Sequence, residues 1–158
     1  MKKQKGFSLI ELLIVVAIIL IIAAIAIPNL LRSRMAANES SAVGSLRTIN
    51  TAEVTYATAY PANGFAAALT NLGGAAPCGP ATAATACLID EVLSVTAIKS
   101  GYSFTAVGGG GAPVVTYTAT AVPSALGSSG QRAFFTDQSG VIRYDTTGAG
   151  ATAGSPAL

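Results

Sequence analysis

The chain has 158 residues, of which 51% are hydrophobic and 10% are charged, so it carries fewer charges than an average soluble domain. Nine Lys and Arg residues against seven Asp and Glu residues leave a net charge of +2, too small to predict a nucleic-acid-binding surface. The sequence contains no histidine, which removes the commonest general base and metal ligand and excludes covalent c-type haem. We therefore expect no enzymatic activity and predict no cofactor.

An uninterrupted apolar run from Leu12 to Ile27 follows a basic N-terminus. Residues 7–27 number 21, and a helix of that length spans roughly 30 Å, the hydrocarbon thickness of a bilayer. The run therefore predicts a membrane segment. Two ordinary interpretations are a secretory signal peptide cleaved after Ala26 and a plain single-span anchor. Neither of them explains the acidic residue Glu11 within the segment.

Glu11 is the only charged residue within the predicted span. A carboxylate inside a spanning helix costs on the order of 2.5 kcal/mol near the bilayer centre and less towards the ends, so it is rarely kept without a cation. In sequence the nearest cation is Lys5, on the far side of Gly6, whereas Arg32 lies about 30 Å along the helix. Cleavage between Gly6 and Phe7 would create an α-amino group four residues before the carboxylate. The missing cation is thus predicted to be a new N-terminus, on this chain or on a neighbouring copy.

The segment KGFSLIELL, residues 5–13, resembles the class III leader and cleavage/methylation motif of type IV pilins and related prepilins. The resemblance implies that a prepilin peptidase at the cytoplasmic face removes the leader 1–6 after Gly6 and methylates the Phe7 amine. It also implies that Glu11 neutralises the amine of an adjacent subunit during assembly. The similarity is closest over residues 5–35, extends over 36–145 at the level of the fold and is absent from 146–158.

A single long helix is predicted over residues 7–60. Its first part, 7–28, is the membrane and filament-core segment, and 29–60 is an amphipathic continuation with an apolar stripe at steps of three, four or seven. Pro28 lacks an N–H and is expected to kink the helix. The pilin resemblance further implies that the helix before Pro28 becomes extended in assembled filaments. The helix is expected to stop at Pro61.

The remaining sequence, 61–145, is rich in Gly, Ala, Ser and Thr and is predicted to form an exported globular head. Short links between its β-patterned segments favour antiparallel pairing of about four strands. A long kinked helix packed on such a sheet is the α+β pilin fold. Residues 146–158 are expected to be a flexible, disordered or surface-lying tail. The predicted strands are Tyr102–Val107, Val114–Val122, Arg132–Thr136 and Val141–Asp145.

Cys78 and Cys87 bracket a loop with few other means of stabilisation. Two cysteines in an exported segment pair more often than they bind metal, and zinc would need four ligands, so we predict a disulfide. The neighbouring Asp90 and Glu91 are expected to begin a short helix rather than form a catalytic pair.

Asp137 and Asp145 flank the last hairpin, in the region where type II secretion pseudopilins hold Ca²⁺. Because Ca²⁺ takes six to eight oxygen ligands and this stretch offers few carboxylates, we interpret both residues as parts of polar turns and predict no metal site.

The predicted function is that of a structural subunit that polymerises through its N-terminal helix into a type IV pilus for motility or adhesion. Expected partners are other copies of the chain, prepilin peptidase, the pilus assembly machinery and the inner membrane, and nucleic acid is not expected. The prepilin would lie in the inner membrane with its N-terminus cytoplasmic, and the assembled subunit would be extracellular. The alternatives are a type II secretion pseudopilin, a membrane-anchored binding module that never polymerises and an exported enzyme released after Ala26.

Overall fold

The computed structural model describes residues 7–74 and 77–158, so the predicted leader and Gly6 lie outside the described residues. The chain divides into two compact units at Arg34, within its first helix. The first unit is helical, and the second contains the remainder of that helix and the whole of the sheet.

The first helix, α1, runs over Leu9–Ala59 and has 51 residues, which confirms the long N-terminal helix. It continues through Pro28, which lies inside the helix. A turn ends it, in which the Gly64 N–H donates to the Tyr60 carbonyl oxygen at 3.1 Å. Gly64 has φ +75° and lies directly against the Val114 backbone, so this position requires a residue without a side chain.

In the first unit the large apolar side chains of α1 are exposed. This part of α1 is long and apolar enough to cross a membrane, and none of its apolar window is buried in the protein. An exposed apolar surface of this size is unusual for a soluble domain and is typical of a segment that contacts lipid or other protein.

The second unit is built on a five-stranded sheet with strand order β1-β2-β3-β4-β5, every pair antiparallel. The last four strands correspond to the four that the sequence predicts, within two residues at each end, and the antiparallel prediction is confirmed. The two-residue strand β1 was missed because it is too short to show an alternating pattern. The strands are β1 Ile98–Lys99, β2 Tyr102–Gly109, β3 Thr116–Pro123, β4 Ala133–Asp137 and β5 Arg143–Asp145.

The core of the second unit lies between α1 and the sheet. Leu46 and Ile49 on α1 are fully buried, as are Phe104 and Phe134 on the strands. The helix thus buries one stripe of its surface, as the spacing predicts. The buried stripe starts near residue 39 rather than at the start of the predicted amphipathic part 29–60, where Leu30 and Leu31 are exposed.

Two short helical segments lie between α1 and the sheet in chain order. They are α2 (Leu69–Leu72) and a π-helical segment, Val92–Thr96. Asp90 precedes the π-helical segment, and its Oδ1 accepts a hydrogen bond from the Leu93 N–H at 2.8 Å. The expected short helix after Asp90 is therefore present, although with π rather than α geometry, and α2 was missed because it is only one turn long.

The segment 146–158 ends beside β5. The Tyr144 N–H donates to the Pro156 carbonyl oxygen at 3.0 Å, and the Leu158 N–H donates to the Ile142 carbonyl oxygen at 2.9 Å. Arg143 also forms an antiparallel bridge with Ala157. These bonds place residues 156–158 along the outer edge of the sheet, where a free strand edge would otherwise offer unpaired backbone groups, and Ala151 earlier in the segment is buried.

Candidate processing and assembly site

The predicted processing and assembly residues lie at the start of α1. Phe7 precedes the helix and is 81% exposed. In the uncleaved chain its nitrogen is a peptide N–H, so the amine that is expected to pair with Glu11 does not exist until the leader is removed. The role of the first two residues of this site, Gly6 and Phe7, stays a prediction.

Glu11 accepts a hydrogen bond from the backbone N–H of Ser8, with 2.9 Å between that nitrogen and Oε2. Ser8 directly precedes the helix, and Glu11 is three residues further on, which is the spacing of a capping box. Within the described residues Glu11 forms no ion pair. This neutral donor to Glu11 was not predicted from the sequence, although the Ser-x-x-Glu spacing could have indicated it.

A carboxylate can accept about four hydrogen bonds, so the Ser8 N–H uses only part of the capacity of Glu11. The side chain lies at the exposed end of the apolar helix, where no other described segment covers it. The geometry therefore leaves Glu11 able to accept further donors from outside the chain.

The predicted disulfide is present: Cys78 and Cys87 are bonded, with their Cα atoms 6.0 Å apart. The loop that it closes is held against the helix, since the Tyr56 hydroxyl donates to the Ala83 carbonyl oxygen at 2.6 Å. It is also held to α2, because the Ala86 N–H donates to the Asn71 carbonyl oxygen at 2.9 Å. The bridge thus fastens a loop that packs on the buried side of α1.

Both aspartates of the last hairpin close polar turns. Asp137 Oδ1 accepts from the backbone N–H of Ser139 at 2.9 Å and from its hydroxyl at 2.5 Å. Asp145 Oδ2 accepts from the N–H and the hydroxyl of Thr147. These bonds are local, and no group of three or more potential metal-ligating side chains occurs in the described ranges.

Two buried acidic residues on α1, Glu39 and Glu53, were missed in the sequence analysis. Their signal was present, since they continue the three-and-four spacing of the buried residues Ala42, Leu46 and Ile49. A charged residue at a core position is unusual, because burial of a charge without partners is costly.

Glu39 is 8% exposed and is well satisfied. One oxygen accepts from the N–H groups of Gln131 and Arg132 at 2.9 and 3.2 Å, and the other accepts from the Arg132 guanidinium at 2.8 Å. Burial raises the pKa of Glu39, but these hydrogen bonds and the positive charge together hold the pKa below its ordinary value. The pair therefore fastens α1 to the start of β4 as an ionised contact.

Glu53 is 1% exposed and is poorly satisfied. Its Oε2 accepts from the Ala66 N–H at 2.8 Å, while its Oε1 has no hydrogen-bond partner within the described part of the chain. Burial raises the pKa of Glu53 to about 7, although the Ala66 hydrogen bond opposes the change. Glu53 is therefore the least favourable site for a negative charge among the acidic groups described above.

Comparison with known proteins gives matches to part of the chain. Residues 1–27 match the family model of the prokaryotic N-terminal methylation motif. The chain is 62% identical over 40 residues to the type IV wide pilus major component PilA4 of Thermus thermophilus, which covers 25% of this chain and 30% of that protein. It is 46% identical over 54 residues to the type IV major pilin protein PilA of Myxococcus xanthus, which covers 34% of this chain and 24% of that protein.

The chain thus spans less than a third of the length of each of these relatives in the matched region. No solved structure matches it significantly. The sheet and the disulfide-bonded loop lie beyond residues 1–27, which match the family model, so their description comes from the structure. The N-terminal part of the chain thus carries a prokaryotic methylation motif, and part of the chain is similar to two type IV pilins, in agreement with the resemblance noted in its sequence.

Proposed function

We propose that this protein is a structural subunit of a type IV pilus. The observation that carries the proposal is that one 51-residue helix combines two surfaces. Its first part follows a methylation motif and has exposed apolar side chains, whereas its second part has a buried stripe that packs on a five-stranded sheet. Such a helix can pack against copies of itself at one end and display a folded head at the other.

Processing would precede assembly. Prepilin peptidase would cleave after Gly6 at the cytoplasmic face of the inner membrane and methylate the Phe7 amine. This step converts a peptide N–H into a charged amine close to Glu11 in sequence. The head would by then lie on the outer side of the membrane, where the Cys78–Cys87 disulfide can form.

Assembly would use the apolar surface of residues 7–27 and the charge of Glu11. Lipid tails are as apolar as this helix, so hydrophobic burial alone cannot drive the helices together within a membrane. Close packing and the pair between one subunit's Glu11 and another's Phe7 amine would set the register. In the isolated chain the Ser8 N–H holds the carboxylate at the end of the helix until the amine of a neighbour reaches it. Pro28 would allow the helix to adjust during transfer from the membrane to the filament.

The relatives named above are pilus components rather than enzymes, which supports a structural role. The subunit would lie in the inner membrane as a precursor and in an extracellular filament once assembled, and the filament would act in motility or adhesion. Its partners would be further copies of the chain and the pilus assembly machinery.

Replacement of Glu11 tests the proposal. In cells, Glu11→Gln should be made, cleaved and retained in the membrane, while the yield of sheared filaments falls about tenfold or more. The reason is that the variant loses a charge-assisted hydrogen bond, worth about 1.5–3 kcal/mol, at each subunit contact. Glu91→Gln removes the same charge from an exposed position on the head and serves as the matched control.

The N-terminus of the purified subunit separates the proposal from its alternatives. Mass spectrometry should find N-methyl-Phe7 as the first residue. A chain that keeps Met1 would indicate a simple membrane tether, and a chain that starts at Ile27 would indicate a secreted protein. Normal filament yield from Glu11→Gln would refute the assembly role of the carboxylate even if processing at Gly6 is correct.

A further inference from the structure

The buried carboxyl group of Glu53 has no role in the proposed assembly, and its surroundings are unusual. It lies on the inner side of α1 with one oxygen bonded to a single backbone N–H and the other without a partner in the described residues. By contrast, Glu39 lies fourteen positions earlier on the same helix face and accepts hydrogen bonds from two backbone N–H groups and a guanidinium. Only Glu39 is equipped to remain ionised when it is buried.

The groups around Glu53 supply no compensating positive charge. No described cation forms an ion pair with it. On β3, the nearby titratable group is Tyr117, whose pKa is raised to about 12 by burial and by the negative charges of Glu53 and Asp137. On α1 the neighbouring titratable side chain is Tyr56, whose hydroxyl is already bonded to Ala83. Residues 61–68, which include the donor Ala66, contain no titratable side chain.

Residues 63–68, which include the Ala66 donor to Glu53, are joined both to the turn between β2 and β3 and to β2. In the turn, the Val114 N–H donates to the Asn63 carbonyl oxygen at 2.8 Å, and the Phe65 N–H donates to the Val114 carbonyl oxygen at 2.9 Å. On β2, the Gly108 N–H donates to the Ala67 carbonyl oxygen at 3.0 Å. This segment, called the cover below, is therefore fastened to α1 by the Glu53 hydrogen bond, to the turn by two bonds and to β2 by one.

We propose that Glu53 makes the cover 63–68 sensitive to pH, so that the cover stays closed over a protonated carboxyl group and opens more often when the group is ionised. A neutral carboxyl group with one unsatisfied oxygen costs far less in a buried site than a carboxylate with one donor. Opening of the cover admits water to the carboxylate, which solvates the charge at the lowest cost in free energy. The inference concerns the head alone and goes beyond the proposed function in assembly.

The direction of the effect follows from proton binding. Because the pKa of Glu53 is raised from 4.5 to about 7 in the closed state, that state binds the proton more tightly than the open state does. The stabilisation of the closed cover is complete below about pH 4.5 and is lost as the pH rises through 7. The equilibrium constant for opening should therefore increase about tenfold or more between pH 5 and pH 7.

Amide hydrogen exchange of the full-length chain in detergent micelles tests this proposal. After correction for the intrinsic pH dependence of exchange, the protection of the Ala66 N–H should fall about tenfold or more from pH 5 to pH 7. Protection of the buried Ala119 N–H on β3 serves as the internal reference. In Glu53→Gln, which keeps an acceptor for Ala66 but cannot ionise, the Ala66 protection should be independent of pH over this range.

Glu39→Gln is the matched control, because it removes a buried carboxylate whose pKa is lowered and which stays ionised across the same range. It should keep the pH dependence at Ala66. Retention of the pH dependence in Glu53→Gln, or its absence in the unmodified chain, would overturn the proposal.

A second measurement needs no variant. The ¹³C chemical shift of the Glu53 carboxyl group should titrate with a midpoint near 7 in the full-length chain. A midpoint at the ordinary glutamate value would overturn the proposal even if Glu53→Gln fails to fold. Because the chain is unassembled in micelles, neither result depends on the role of Glu11 in a filament.

Discussion

The two parts of α1 show how the same kind of residue serves two different environments. From Leu12 to Ile27, apolar residues follow one another without a break, and the large side chains among them are exposed. After Met35, apolar residues recur every three or four positions, and those side chains are buried against the sheet. A continuous apolar run requires apolar surroundings on every side of the helix, whereas an apolar stripe requires contact on one face only. The pattern, rather than the hydrophobicity alone, separates the exposed apolar part of α1 from the part that packs on the sheet.

The acidic residues of the two parts sharpen this contrast. Glu11 lies at an exposed helix end and retains capacity for a donor from another molecule. Glu39 is satisfied within its own head, and Glu53 is buried with a single donor. An exposed acid can be solvated by water or accept a donor from another molecule, whereas burial with a single donor raises the pKa of an acid in a core.

Truncation of a leucine in each part should produce the largest difference. Leu46 is fully buried, so Leu46→Ala should lower the free energy of unfolding of the head by about 3 kcal/mol through lost burial and a residual cavity. Leu20 is 63% exposed, so Leu20→Ala should change the stability of the head by less than about 0.5 kcal/mol. Urea unfolding of the full-length chain in micelles, followed by tyrosine near-ultraviolet circular dichroism, measures both. Equal losses from the two variants would contradict the division of α1.

Removal of the disulfide should have a somewhat smaller effect, confined to the head. Cys78→Ser combined with Cys87→Ser should lower the free energy of unfolding by about 2–3 kcal/mol, because the open loop has more freedom in the unfolded chain. The unmodified chain in the presence of a reductant provides the comparison. If reduction and the double substitution both leave the unfolding midpoint unchanged, the loop is held by its contacts to Tyr56 and Asn71 alone.

The smallest expected effect is a gain in stability on the exposed face of α1. A Cβ atom added to Gly44 would meet no other atom within 4 Å, so Gly44→Ala should stabilise the helix by about 0.5–1 kcal/mol. Gly130→Ala is the opposite case, since its Cβ would collide with the buried Tyr102 side chain, and it should destabilise the head. Thermal unfolding of the two variants beside the unmodified chain measures the difference. A loss of stability in Gly44→Ala would show that this face is covered in the subunit.

Much of the fold could be predicted because its signals are local. The long helix, its stop at Pro61 and the strands β2 to β5 each follow from residues that are adjacent in sequence. The disulfide could also be predicted, since the sequence has two cysteines, both in one loop, and they have one possible pairing. Strand β1 and α2 could not, because segments of two and four residues carry too little pattern.

The residues of the candidate site likewise divide into those that could be predicted from the sequence and those that could not. The leader motif and Glu11 are contiguous in sequence, and so is the Ser8 hydrogen bond, three residues away, although it was overlooked. The roles of Glu39 and Glu53 depend on partners 93 and 13 residues away, respectively, which the folded head brings to them. The course of residues 146–158 along β5 likewise depends on the finished sheet edge.

The order of the residues alone thus predicted a long helix with an apolar N-terminal part and a β-rich head, since hydrophobic period, proline and cysteine act over a few positions. Only the packed head decided which of two similar buried acids is an ion-pair partner and which is a poorly satisfied group with a raised pKa. The physical reason is that the free energy of a charge depends on the donors around it, and distant segments supply those donors only after folding.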